Sequence, residues 1–215
     1  MIIGALALIA VAAVAAALYF ALRGSSSGST KSMSTSTGGF EMRVDPAKDA
    51  EYDRLPGVRK TKAPWGPGFA YLDDRLAPLG LKALSNEALA YHIHQHLDMY
   101  LNGKHVTVPE CIGILGCYQN FRYLTELHTH RTDGVIHNES ETARNYTLGQ
   151  FFAEWGVLLN KQCVGAYCNG FSWYVNGKRQ TGNPQDLVLK PHLEVMIAIG
   201  KPPAKIPSTY AWNGL

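Results

Sequence analysis

The chain has 215 residues and a formal net charge of +3, from 20 Lys and Arg against 17 Asp and Glu. Its basic residues are spread out rather than grouped in a block, which argues against nucleic acid as a partner. Past the N-terminal segments, residues 40–215 suffice for one domain with a proper hydrophobic core.

Residues 2–22 (IIGALALIAVAAVAAALYFAL) carry no charge. At a rise of about 1.5 Å per residue, this run is just long enough to cross about 30 Å of hydrocarbon as a helix. A cleaved secretory signal is the rival reading. The length of the run and the lack of a basic n-region favour an uncleaved transmembrane anchor. Arg23 and Lys31 follow the run, and the positive-inside tendency would keep that side cytoplasmic. Four cysteines, an even number, and a Ser/Thr/Gly-rich stretch point the other way, to a domain held outside the membrane in an oxidising compartment. The expected organisation is an anchor over 2–22, a flexible linker over 23–39 and an extracytoplasmic domain over 40–215, giving a single-pass protein of the cell membrane.

Residues 40–68 are polar and contain Pro46, Pro56, Pro64 and Pro67. They read as irregular structure wrapped over the domain, with Trp65 as an anchor. After a turn at Ser85-Asn86-Glu87, residues 89–101 form a long strand candidate ending at Asn102-Gly103-Lys104. Asn-Gly between alternating segments is the strongest short-range hairpin signal, and it predicts positive φ at the glycine. Residues 105–108 alternate as the return strand. The same signal recurs at Asn176-Gly177-Lys178 after a strand over 171–175. Two more strands are expected over 186–189 and 193–199, the second nearly all apolar and therefore central. One helix stands out, because Thr147 and Gln150 fit a capping box and Leu148, Phe151, Phe152 and Trp155 follow as an apolar stripe. The fold class is α+β: a β-rich single domain with tight Asn-Gly hairpins and one main packed helix.

Of the eight histidines, six fall in two short stretches. The first is His92-Ile93-His94-Gln95-His96, and the second is His128-Thr129-His130 followed by His137-Asn138-Glu139. On a strand, residues two apart share a face and lie about 6–7 Å apart at Cα, so paired imidazoles can lean onto one ion. Imidazole and carboxylate suit Zn(II), Cu(II), Fe(II) and Ni(II). Asp133-Gly134 marks a turn that folds His137 and Glu139 back beside His128 and His130. The expected metal ligands are therefore His92, His94, His96, His128, His130, His137 and Glu139. Asp98 is a candidate for orienting a ligand ring. His105 and His192 stand alone and read as surface residues.

Cys111, Cys117, Cys163 and Cys168 match neither redox nor zinc-knuckle spacing. Two structural disulfides are the default reading; of the three pairings, the local loops 111–117 and 163–168 are the simplest. The nucleophile elbow, the phosphate-binding and dinucleotide glycine motifs and the zinc-protease helix are missing. The five methionines form no Met-x-x-Met run that would suit Cu(I). Asn138-Glu-Ser and Asn145-Tyr-Thr are formal glycosylation acceptors, a pattern that arises often by chance.

The segments His-Ile-His-Gln-His-Leu-Asp-Met-Tyr-Leu-Asn-Gly-Lys, Leu-His-Thr-His…Gly-Val-Ile-His-Asn-Glu-Ser and Thr-Leu-Gly-Gln-Phe-Phe-Ala-Glu-Trp-Gly together resemble an uncharacterised family of bacterial proteins. The likeness covers about residues 81–210, and Arg131 departs from the family pattern, which has Asp there. The resemblance implies one N-terminal anchoring helix, a domain outside the cytoplasm and a shared His-rich site. It implies no activity.

Three functional readings follow. The first is a membrane-anchored extracytoplasmic protein that binds zinc or copper for sequestration, delivery or sensing. The second is a metalloenzyme at the same site, with an open coordination position and Glu139 or Glu154 as acid–base. The third is a non-metal interaction module in an envelope complex, its histidines forming a pH-sensitive surface for an envelope protein partner.

Overall fold

The computed structural model describes residues 33–37, 39–87 and 90–215. The proposed anchor over 2–22 and linker residues 23–32 lie outside the described residues. Among the described residues, no helix is long and apolar enough to cross a membrane.

The first strand, β1 (Met33–Thr37), pairs antiparallel with β2 (Phe40–Val44), so the end of the segment read as a flexible linker is extended and paired. A short helix, α1 (Pro46–Tyr52), interrupts the stretch read as irregular. Pro46 sits in its first turn, where a missing N–H removes no helical bond, and Lys48 N–H donates to Asp45 Oδ1 at 3.2 Å. Trp65 is the anchor expected of it. Its ring is buried, its Nε1–H donates to Thr61 O at 3.1 Å, and it meets Trp155 edge-on at 5.9 Å.

A second helix, α2 (Leu72–Leu79), carries the fully buried Arg75. Its guanidinium donates to the carbonyls of Pro56, Gly68, Ala70 and Glu154 at 2.6–3.0 Å. That one side chain closes the hydrogen bonds of an irregular segment with no ladder of its own. Leu72, Leu76 and Leu79 have helical spacing, but the element is only eight residues long, contains Pro78 and has no side-chain cap, so the sequence does not announce it.

The strands β3 (Ala83–Leu84), β4 (Tyr91–Leu101) and β5 (Lys104–Val106) come next, then β6 (Ile114–Leu115), β7 (Tyr123–Thr125), β8 (Leu127–His128) and β9 (Val135–Ser140). The packed helix α3 (Leu148–Trp155) precedes β10 (Cys163–Val164), β11 (Tyr167–Cys168), β12 (Phe171–Val175), β13 (Lys178–Arg179) and β14 (Glu194–Ile199). The main sheet has the order β13-β12-β14-β4-β9-β8, with β5 also pairing β4; β14 runs parallel to β4 and the other pairs are antiparallel. Both Asn-Gly turns form, with positive φ at Asn102, Gly103, Asn176 and Gly177. The strand expected over 186–189 is absent from the sheet. Asn183 caps a 3-10 turn at Pro184–Asp186 instead, accepting from Gln185 N–H, and the chain beyond touches other strands only through single bridges.

Helix α3 starts at the expected capping box: Gln150 N–H donates to Thr147 Oγ1 at 3.3 Å, and Thr147 N–H donates to Gln150 Oε1 at 2.9 Å. Its buried Leu148, Phe151, Phe152 and Trp155 join one core with Leu97, Met99, Leu127, Ile136, Trp173, Val175, Val195 and Ile197. The strand registers place those eight residues on a single face of the main sheet. Each such side chain contributes roughly 1.5–3 kcal/mol of burial. By alternation the histidines belong to the other face.

Candidate metal centre

Three neighbouring strands build the site. Strand β4 sends His92, His94, His96 and Asp98 to the face opposite the core. Antiparallel pairing sets His94 opposite His137 and His92 opposite Glu139. On the far side of β9, His128 of β8 is also opposite His137. His94, His137 and His128 thus form one row across the sheet, with His92 and Glu139 in the next row.

His130 lies past the end of β8 and needs a separate support. The residue between the two histidines, Thr129, supplies it. Cys111 N–H donates to Thr129 O at 2.8 Å, Thr129 N–H donates to Ile112 O at 3.1 Å, and Ile112 N–H donates to Thr129 Oγ1 at 3.1 Å. The clamping segment begins the loop closed by the Cys111–Cys117 disulfide. The second disulfide joins Cys163 to Cys168 across β10 and β11, and among the described residues no cysteine is free. Both bridges close the local loops expected from the spacing.

Ligand atoms converge. His92 Nε2 lies 3.3 Å from His137 Nδ1 and 3.1 Å from Glu139 Oε1. The same Glu139 oxygen is 3.5 Å from His137 Nδ1 and 3.6 Å from His128 Nε2. His128 Nε2 and His130 Nε2 are 3.1 Å apart. A tetrahedral ion with bonds of about 2.0–2.1 Å holds its ligand atoms about 3.3 Å apart, so these separations are those of a coordination shell. One group, His128, His130, His137 and Glu139, has ligand atoms mutually within 4.8 Å, and His92, His94 and His137 form another. Either group can hold a metal ion.

Burial and tautomer prepare the rings for ligation. His128 and Glu139 are fully enclosed. Burial pushes the His128 imidazole down to about 3 and that of His94 to about 4, the second with help from neighbouring His137 and His92. His130 is lowered for the same reasons, burial first and then His137. These rings are neutral at physiological pH, the form that donates a lone pair. His128 Nδ1–H is held by the Thr125 carbonyl at 2.8 Å, which leaves Nε2 as the lone-pair nitrogen aimed at His130 and Glu139. The buried His94 Nε2 has no hydrogen-bond partner among the described residues.

His96 shares the face but is placed apart from this cluster. Its Nδ1 meets Glu194 Oε2 at 2.8 Å, its Nε2 meets the Asp133 carbonyl at 2.7 Å, and Tyr210 stacks on its ring at 4.0 Å. Burial lowers its pKa, but the Glu194 hydrogen bond and charge outweigh that and raise it, the opposite of the shift at His94, His128 and His130. Asp98, expected to orient a ligand ring, faces His105 at 3.4 Å and groups with His96 and Glu194. His105 is half-exposed; His192 stacks on Trp212 at 4.6 Å. Glu154 is fully buried on α3, with Thr125, Arg75 and Glu126 as its electrostatic neighbours rather than any histidine, which removes it as an acid–base for this site.

Two residues of the site were missed in the sequence. Glu87 Oε1 reaches His130 Nε2 at 3.2 Å, and Glu194 holds His96. Glu194 has no local signal because β4 and β14 meet in parallel across 98 residues of sequence, and Glu87 has none because it lies before β4 and meets a histidine of the distant segment that follows β8. A pocket of about 220 Å³ is lined by His130 and His137 together with Glu87, Arg131, Asp133, Val135 and Leu215. Comparison of the chain with protein-family models, with curated proteins and with solved structures finds no match in any of the three.

Proposed function

We propose that this protein is a membrane-anchored, extracytoplasmic binder of a transition metal, zinc or copper, serving sequestration, delivery or sensing. The observation that carries the reading is the position of His128 Nε2. Its lone pair, fixed by the Thr125 carbonyl, faces a buried carboxylate and two further imidazoles at the spacing of metal ligands. Neutral rings packed this closely need partners for their nitrogens, and a cation supplies one for several rings at once. Zn(II) and Cu(II) both accept imidazole with carboxylate. The extracytoplasmic setting is supported by the two disulfides, which persist in oxidising compartments, and by the apolar run over 2–22. It also agrees with the family resemblance of residues 81–210.

Elemental analysis of protein purified without an affinity tag tests the reading. At least one equivalent of zinc or copper is expected, lowered by His128→Ala, His130→Ala or His137→Ala and retained in full in His105→Ala. Protein that takes up neither metal after dialysis against each would overturn it and favour the interaction module. Membrane fractionation of the native host tests the location: release at ordinary salt would remove the anchor.

A second reading, a metalloenzyme, is favoured by one observation. The pocket lined by His130 and His137 is large enough for a small molecule beside the ligands. In protein loaded with Co(II) or Cu(II), an ion with an open position there would bind azide or cyanide and change its ligand-field spectrum; a closed shell would not.

A further inference from the structure

We propose that the cluster holds two metal ions, with β9 supplying the ligands between them; this rests on the metal-binding reading above. Six donors are present, and they are arranged in two flanks around a centre. Strand β4 contributes the pair His92 and His94, and the segment of β8 contributes the pair His128 and His130. Strand β9 runs between them and contributes His137 and Glu139.

Distance decides against one ion for all six. The side chains of both flanks lean toward β9, yet among the described residues no group within 4.8 Å contains all six donors. An ion with bonds of about 2.0–2.1 Å reaches donors no more than about 4.2 Å from each other. The donors accordingly fall into the group His128, His130, His137 and Glu139 and the group His92, His94 and His137, and the residue common to both is His137. Its ring lies edge-to-face with His94 on one flank and with His130 on the other, both at 4.5 Å between centroids. Glu139 reaches both flanks as well, since Oε1 is 3.1 Å from His92 Nε2 and 3.6 Å from His128 Nε2.

Each ion therefore takes one His-x-His pair and a share of the central residues. His137, the residue common to both groups, would ligate both ions. Its remaining N–H proton leaves to solvent when the second ion binds, and no electrons are exchanged. The duplicated His-x-His motif then has a reason: a single four-coordinate ion would need only part of it.

The test is stoichiometry on the full chain, stripped with a chelator and dialysed against Zn(II). Two zinc ions per chain are expected, falling to one in the double variant His92→Ala/His94→Ala and to one in His128→Ala/His130→Ala. One ion in the unmodified chain overturns the two-ion proposal and leaves the metal-binding reading standing; none overturns both. Because the unmodified chain decides the count, a variant that fails to fold does not blur the result. Loading with two equivalents of Cu(II) tests the bridge. Coupled ions lose most of their electron-paramagnetic signal, and a full-intensity, uncoupled signal would refute sharing of His137.

Discussion

Replacing Glu139 by Gln separates the metal's demands from those of the fold. The side chain is fully buried and its Oε1 stands 3.1–3.6 Å from nitrogens of His92, His137 and His128. Glutamine keeps the volume and the acceptor oxygen but removes the negative charge. Two unit charges about 4 Å apart interact by about 4 kcal/mol at an effective dielectric constant near 20, and a divalent ion doubles that before desolvation offsets part of the gain. A net loss of about 4 kcal/mol corresponds to roughly 1,000-fold weaker binding. At a free metal concentration about 1,000 times the wild-type Kd, binding stabilises the wild type by about 4 kcal/mol, or roughly 8–16 °C in a domain of this size. The variant should gain about 1 °C at the same concentration. Its metal-free melting temperature should stay within about 4 °C of wild type, since nothing is removed from the core. Thermal melts with and without Zn(II), beside a competition titration, measure both arms. A Kd within threefold of wild type would refute the electrostatic role, and a metal-free variant that does not fold would show the carboxylate to be structural.

Glu154→Gln should stabilise the protein in a pH-dependent way. Burial raises the Glu154 carboxyl from 4.5 to about 8, so the folded state keeps a proton that the unfolded chain has lost, and wild-type stability falls as pH climbs from about 4.5 toward 8. The variant should gain about 3 kcal/mol at pH 7 and nothing below about pH 4 by urea unfolding; a gain independent of pH would contradict the assignment. Gly134→Ala should cost about 2 kcal/mol and weaken metal uptake, because Gly134 has φ +80 and an added Cβ would sit 2.5 Å from Leu97 O in the turn that leads into His137. An unchanged urea midpoint would show that the turn relaxes freely. Arg75→Met should cost about 3 kcal/mol or more by leaving the carbonyls of Pro56, Gly68, Ala70 and Glu154 without their donor, read as a fall in melting temperature with metal stoichiometry retained. Loss of metal in a folded Arg75→Met protein would mean the segment it ties down also supports the site.

Local chemistry determined much of this protein in advance. Asn102-Gly103 and Asn176-Gly177 make tight turns because their backbones tolerate positive φ. Thr147 and Gln150 start α3 because their side chains satisfy the end of a helix within one turn. The cysteine loops close over the shortest available separations. The two-residue period of a strand put the histidines of each cluster on one face, and the Asp133-Gly134 turn returned His137 and Glu139 to His128. None of these needs contacts beyond a few residues, so the sequence carries them.

What joins distant segments was decided only in three dimensions. The register that sets His94 rather than His96 opposite His137 depends on how β4 slides against β9, and a two-residue shift would leave every face unchanged. Glu194 reaches His96 through a parallel pairing that no hairpin encodes, and its carboxylate raises the pKa of that ring while burial lowers those of His94 and His128. His130 is held by the Cys111 loop through Thr129, a contact between segments with no shared periodicity. Arg75 and α1 organise a stretch whose prolines and polar residues suggest only irregularity, since buried carbonyls must find donors wherever the packed chain brings them.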